Sequence, residues 1–186
     1  DLLVKKQGEL PEHYQPVAKI NIEECCRAKD RMLTGLQILR EDQLAWKAFS
    51  LANRAMFMQR VHLTLQSETS NTDRYPGDSE LSEILDNIDY SISEGITDDR
   101  HFWRLFQIAF LLMSIESITN DLAPDRNVVD LIWFPTGGGK TEAYLGLTAF
   151  DIFYRRLAHA EAAGGTTVIM RYTLRLLAAQ QFTRAS

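Results

Sequence analysis

A glycine-rich turn contains the residues whose types and spacing could do chemistry. It runs Phe134-Pro135-Thr136-Gly137-Gly138-Gly139-Lys140-Thr141. Consecutive glycines let backbone N–H groups converge on phosphate oxygens, because no Cβ obstructs the approach. In such a turn Lys140 neutralises the terminal phosphates of a nucleotide, and the Thr141 hydroxyl binds Mg²⁺. We expect Lys140 and Thr141 to be catalytic, and we expect ATP phosphates to bind at Thr136, Gly137, Gly138, Gly139, Lys140 and Thr141.

The residues on either side of this turn predict how it is held. The turn departs from the strict Gly-x-x-x-x-Gly-Lys-Ser/Thr pattern, because Phe134 occupies the place of the first glycine. A flexible turn without a ligand is the alternative. The β-branched and aromatic run 128–134 predicts a strand before the turn, and apolar residues at helical spacing predict a helix from Lys140 onward. This context favours nucleotide binding.

The C-terminal third predicts a parallel sheet. Residues 166–170 form a second β-rich run, and residues 174–185 have a helical pattern. Residues 128–186 therefore follow the order strand, helix, strand, helix, which is typical of an α/β fold with a parallel sheet. We expect the helical segment 102–118, apolar nearly all round, to be buried beside it.

The N-terminal region predicts helices without catalytic residues. One amphipathic helix begins at a capping box formed by Asn21 and Glu24, and a second begins near Asp42. Residues 68–99 contain ten acidic residues against Arg74 alone, which is typical of a solvated loop. The sequence thus predicts a helical region over residues 1–99 and a nucleotide-binding region over residues 100–186.

Composition excludes several classes of protein. The net charge of −5 over 186 residues excludes binding to nucleic acid through bulk positive charge. The adjacent Cys25 and Cys26 form no disulfide framework, and the four scattered histidines have no zinc spacing. The longest uncharged stretch, 105–115, is too short to span a membrane. We expect a soluble protein of the reducing cytoplasm.

Three segments resemble motifs of the superfamily 2 helicases. The turn 135–141 resembles motif I, and Tyr172–Gln180 resembles motif Ia, although Tyr172 replaces the customary proline. Phe102–Gln107 is similar to the segment that precedes motif I in that superfamily and reads adenine. The resemblance implies that Gln107 and Phe102 bind adenine; a satisfied amide in the core is the alternative for Gln107.

Taken together, four segments resemble the large helicase of the DISARM anti-phage defence system. These segments are Asn53–Met56, Phe106–Leu112, Trp133–Leu147 and Met170–Leu177. The resemblance implies two RecA-like lobes, ATP hydrolysis, DNA binding and a partner protein that carries a DUF1998 domain. It also implies that this chain is the N-terminal portion of an ATP-dependent DNA helicase or translocase.

Charge indicates where DNA would be contacted. Residues 1–126 contain 14 basic and 21 acidic residues, whereas six basic and four acidic residues follow. Ligands of parallel sheets gather at the carboxyl ends of strands, so Arg171, Thr173 and Arg175, which follow the second predicted strand, are the candidates. The alternative is that Thr173 only caps a helix and the arginines are solvated.

The chain lacks motifs that efficient ATP hydrolysis requires. No Asp-Glu-x-His box follows the second predicted strand, and there is no room for the arginine finger of a second lobe. We therefore expect the fragment alone to be inactive. Two alternatives stay open: a non-enzymatic nucleotide-sensing or scaffolding module that uses its acidic helical region, and another class of P-loop ATPase.

Overall fold

The computed structural model describes residues 2–70, 83, 102–133, 135, 137–160 and 163–171. A short 3-10 helix, Glu12–Tyr14, lies between the first two α-helices. The α-helices named below are α1 (Leu2–Gly8), α2 (Gln15–Glu41), α3 (Gln43–Ser70), α4 (Leu105–Thr119) and α5 (Lys140–His159). None of these helices is long and apolar enough to cross a membrane.

Asp42 separates α2 from α3. Its backbone is extended, and its carboxylate accepts hydrogen bonds from the N–H groups of Leu44 at 2.8 Å and Ala45 at 3.2 Å. These bonds satisfy donors that the first turn of a helix leaves unpaired, so the predicted start of a helix near Asp42 is confirmed. The predicted start at Asn21 is wrong, because α2 already begins at Gln15, with Pro16 in its first turn.

The core lies where α2 and α3 pack against α4 and α5. Three small residues of α3, Ala45, Ala48 and Ala52, are buried together with Ile115 of α4 and Phe150 of α5. Alanines let the helix axes approach closely, so the larger side chains of the opposing helices fill the space. The predicted boundary near residue 99 lies outside the described residues, and the helices on either side of it share this core.

Helices α2 and α4 approach each other closely at Gly35 of α2. A Cβ at this position would overlap the backbone carbonyl of Leu112 in α4. Gly35 is also buried. The crossing therefore depends on the absence of a side chain at this residue.

The predicted parallel sheet is wrong. The described part of the chain contains helices and irregular segments but no strand. Residues 128–133 and 166–170 are both described and both irregular, and several of their apolar side chains face solvent: Val129 is 93% exposed, Trp133 90% and Ile169 86%. A strand of a parallel sheet would be buried on both faces. The α/β, RecA-like fold class is therefore corrected to an all-helical architecture for the described residues.

Ion pairs attach the chain around residues 125–130 to α2. Arg31 of α2 donates two hydrogen bonds to the Asp130 carboxylate, at 2.7 and 2.8 Å, and Arg27 pairs with Asp125. The hydrogen bonds from Arg31 lower the pKa of Asp130, so this carboxylate stays ionised. β-Propensity measures how well a side chain fits a sheet surface. Here the segment is attached to a helix instead, and no described strand pairs with it.

Candidate phosphate-binding site

Two glycines in the left-handed region shape the turn before α5. Gly137 has φ 77° and Gly139, the N-cap residue of α5, has φ 89°. The Gly138 N–H donates to the Pro135 carbonyl oxygen at 3.1 Å, which closes the turn. Residues with a Cβ adopt this conformation only at a cost. The glycines thus let α5 begin directly after the turn, so the first N–H groups of the helix and the positive end of its dipole lie at the turn.

Lys140 places a positive charge on this turn. Its ammonium group donates a hydrogen bond to the Pro135 carbonyl oxygen at 3.1 Å, so the side chain folds back across the turn. Gly137, Gly138, Gly139, Lys140 and Thr141 are all described, and phosphate binding by them stays a prediction. Thr136 lies outside the described residues.

The donor set at this turn fits Mg²⁺ that arrives with a nucleotide. The part of the chain that the structure describes has no cluster of three or more His, Cys, Asp or Glu side chains able to hold a metal ion. Mg²⁺ bound to nucleotide phosphates keeps several waters and needs only one or two protein oxygens. The half-buried Thr141, next to Lys140 in the first turn of α5, offers one such oxygen.

Gln107 of α4 is tied to the turn. Its amide nitrogen donates to the Gly139 carbonyl oxygen at 2.7 Å, and its amide oxygen accepts from the Arg104 backbone N–H at 2.8 Å. The side chain is 4% exposed. Gln107 is thus a satisfied buried amide that supports the glycine-rich turn before α5. Contact of Gln107 and of the exposed Phe102 with adenine stays a prediction.

Arg104 and Trp103 also anchor the start of α4. The Arg104 guanidinium donates to the Gly138 carbonyl oxygen at 3.0 Å. The Trp103 indole N–H donates to the side-chain oxygen of Asn53 in α3 at 2.6 Å, and the ring lies so close to Gly146 of α5 that a Cβ there would be 2.6 Å from Cη2. These contacts, which the sequence reasoning did not identify, join α3, α4 and α5 beside the turn.

A further ion pair at the site was also missed. The Arg60 guanidinium of α3 lies 3.7 Å from the Glu142 carboxylate in the first turn of α5. A signal was present in the sequence: Arg60 continues the inward-facing series of Ala52 and Met56 at four-residue spacing. An arginine on a core-facing stripe needs an anionic partner.

The candidate DNA contacts are mostly outside the described residues. Arg171 is described and exposed, whereas Thr173 and Arg175 are not described. Before them in the chain, the Arg155 guanidinium of α5 donates to the Gly164 carbonyl oxygen at 2.9 Å and to the Thr167 hydroxyl at 3.2 Å. DNA binding by this region stays a prediction.

Gly139→Ala should destabilise the turn by about 2 kcal/mol, because alanine is strained at φ 89° and its Cβ would lie 2.7 Å from the buried Gln107 amide nitrogen. Hydrogen exchange of the first amides of α5 would measure the loss as faster local opening. Gly164→Ala is the matched control, since a Cβ there would meet nothing within 4 Å. Equal protection in both variants would contradict this role of Gly139.

Comparison with known proteins relates the chain to a DISARM protein. It is 37% identical over 170 residues to the DISARM protein DrmA of Bacillus paralicheniformis, an alignment that covers 88% of this chain and 14% of that protein. No family model and no solved structure matches the chain. The chain is therefore related to a segment of a DISARM protein, and it spans about 14% of that relative's length.

Proposed function

We propose that this chain is the ATP-binding segment of a DISARM defence protein that hydrolyses ATP and acts on DNA. The observation that carries the proposal is the turn before α5, where two left-handed glycines bring Lys140 and the N-terminus of a 20-residue helix to one place. Convergent N–H groups, a helix dipole and a lysine are the features that bind nucleotide phosphates. Thr141 supplies the protein oxygen for Mg²⁺.

This proposal does not depend on the predicted sheet. Phosphate recognition uses the backbone of the turn and the first turn of the helix, both of which form here with α5 supported by α3 and α4. The supporting residues replace what neighbouring strands would have supplied. The side chains of Gln107 and Arg104 donate hydrogen bonds to the carbonyl oxygens of Gly139 and Gly138, and these bonds fix the turn where strand hydrogen bonds would otherwise do so.

The defence role and the DNA substrate are proposed from sequence relationship. The relative is a DISARM protein by name, and the four resembling segments include the glycine-rich turn 135–141, which we call the phosphate turn. We propose that the complete protein is a helicase or translocase, that Arg171 contributes to DNA binding together with Thr173 and Arg175, and that a DUF1998 protein is its partner. Residues outside this chain then supply the Asp-Glu-x-His box and the arginine finger.

Thr141→Val tests the proposed chemistry in the complete protein. Valine keeps the shape of threonine but removes the oxygen that binds Mg²⁺, so ATP turnover should fall by about tenfold or more and require higher Mg²⁺. Turnover with and without DNA, measured across Mg²⁺ concentrations, gives the comparison.

The matched control is Thr148→Val on the same helix, whose hydroxyl only donates to the Tyr144 carbonyl oxygen at 2.8 Å. Its turnover should equal that of the wild type. ATP binding with no turnover in the wild-type protein would instead support a nucleotide-sensing module. An unchanged Mg²⁺ dependence in Thr141→Val would contradict the assigned ligand.

A further inference from the structure

An ion pair joins α3 to the first turn of α5. The Arg60 guanidinium lies 3.7 Å from Oε1 of Glu142, and the Arg60 side chain is 39% exposed whereas that of Glu142 is 11% exposed. Glu142 follows Lys140 by two residues. The pair therefore lies directly beside the phosphate turn.

Glu142 presents an electrostatic difficulty for a phosphate site. A Cβ built on Gly139 would lie 3.4 Å from Oε2 of Glu142, so the carboxylate is adjacent to the turn itself. A largely buried negative charge acts over a longer distance than an exposed one, because little water screens it. Uncompensated, Glu142 would repel the same polyphosphate that Lys140 attracts.

We propose that Arg60 is a positioning residue for polyphosphate binding, which compensates the charge of Glu142 and so keeps the potential at the turn positive. This inference rests on the proposed nucleotide-binding function. It assigns a role at the phosphate site to α3, although the sequence predicted that the helical region 1–99 has no catalytic residues.

The mechanism predicts selectivity by phosphate charge. Repulsion from an uncompensated Glu142 grows with the number of charges on the ligand, so it affects ATP more than ADP and AMP least. Loss of packing between α3 and α5 would instead weaken the binding of all three nucleotides to the same degree. The ratio of ATP to AMP affinity therefore separates an electrostatic role from a structural one.

The experiment measures ATP, ADP and AMP affinity of the complete protein by titration calorimetry at low and high salt. Arg60→Gln should weaken ATP binding about tenfold and AMP binding by less than about twofold, with the difference reduced at high salt. Arg60→Lys, which keeps the charge, should retain most of the ATP affinity. Arg54→Gln is the matched control, since this arginine lies exposed on the same helix.

Rescue by a second substitution gives the sharpest test. In Arg60→Gln/Glu142→Gln both charges are removed, so ATP affinity should return to within about threefold of the wild type. Failure of this rescue, or equal weakening of ATP and AMP binding by Arg60→Gln, would overturn the charge-compensating role.

If Lys140→Ala retains full ATP affinity, the proposed function itself fails. If Lys140→Ala loses affinity and Arg60→Gln does not, only the role of Arg60 fails.

Discussion

Lys140→Ala in the complete protein should lower ATP turnover by about 10²- to 10³-fold, the usual cost of removing one group that stabilises charge in a transition state. The ammonium group is the positive charge held across the turn by the Pro135 carbonyl oxygen. Its loss leaves the polyphosphate with the backbone N–H groups and the Mg²⁺ that Thr141 would bind. Steady-state ATP turnover with saturating DNA measures the effect, and protection against phage in cells should be lost in parallel.

The fold should survive this change. Lys140 is the first residue of α5, and the core positions of that helix, Ala143 and Phe150, are untouched. Circular dichroism should show unchanged helix content. Lys47→Ala, which removes an exposed lysine from α3, is the matched control and should turn over ATP like the wild type. Normal turnover by Lys140→Ala would remove the basis for calling this turn a phosphate site.

Gly35→Ala should destabilise the crossing of α2 and α4 by about 2–3 kcal/mol. The added Cβ would overlap the Leu112 carbonyl, and backbone cannot rotate away as a side chain can. The two helices must therefore separate, which loosens the contacts around Ile115. Alanine favours helix more than glycine does by about 1 kcal/mol, but this gain is smaller than the cost of the overlap.

Native-state hydrogen exchange gives the measurement, because it reports the opening free energy of individual amides in α2 and α4 within the complete protein. Gly8→Ala makes the same substitution at the end of α1, where a Cβ meets nothing within 4 Å, and should change protection by less than about 0.5 kcal/mol. If Gly35→Ala leaves α4 as protected as this control does, the close crossing is not what holds the two helices together.

The sequence by itself determined the parts that depend on neighbours along the chain. The helix after the turn begins at Lys140 as predicted, because the glycines before it stop any earlier helical turn and the apolar spacing after it is 3.6 residues. Asp42 was predicted to start a helix and caps α3, since capping needs only a carboxylate and the next two or three N–H groups. The glycine-rich turn before α5 is also local, since its shape needs only the two left-handed glycines and the next turn of helix, and phosphate binding there stays a prediction.

The tertiary structure decided what depends on partners distant in the sequence. A β-rich run becomes a strand only when another strand hydrogen-bonds to it; Arg31 instead attaches Asp130 to α2, 99 residues away in the chain. The position of Gln107 in the sequence does not show that its amide nitrogen donates to the Gly139 carbonyl oxygen, because the two residues are 32 positions apart. Arg60 and Glu142 likewise meet only because α3 packs along α5. Local patterns record the preferences of side chains, whereas the energy of burying or pairing them depends on which surfaces the folded chain brings into contact.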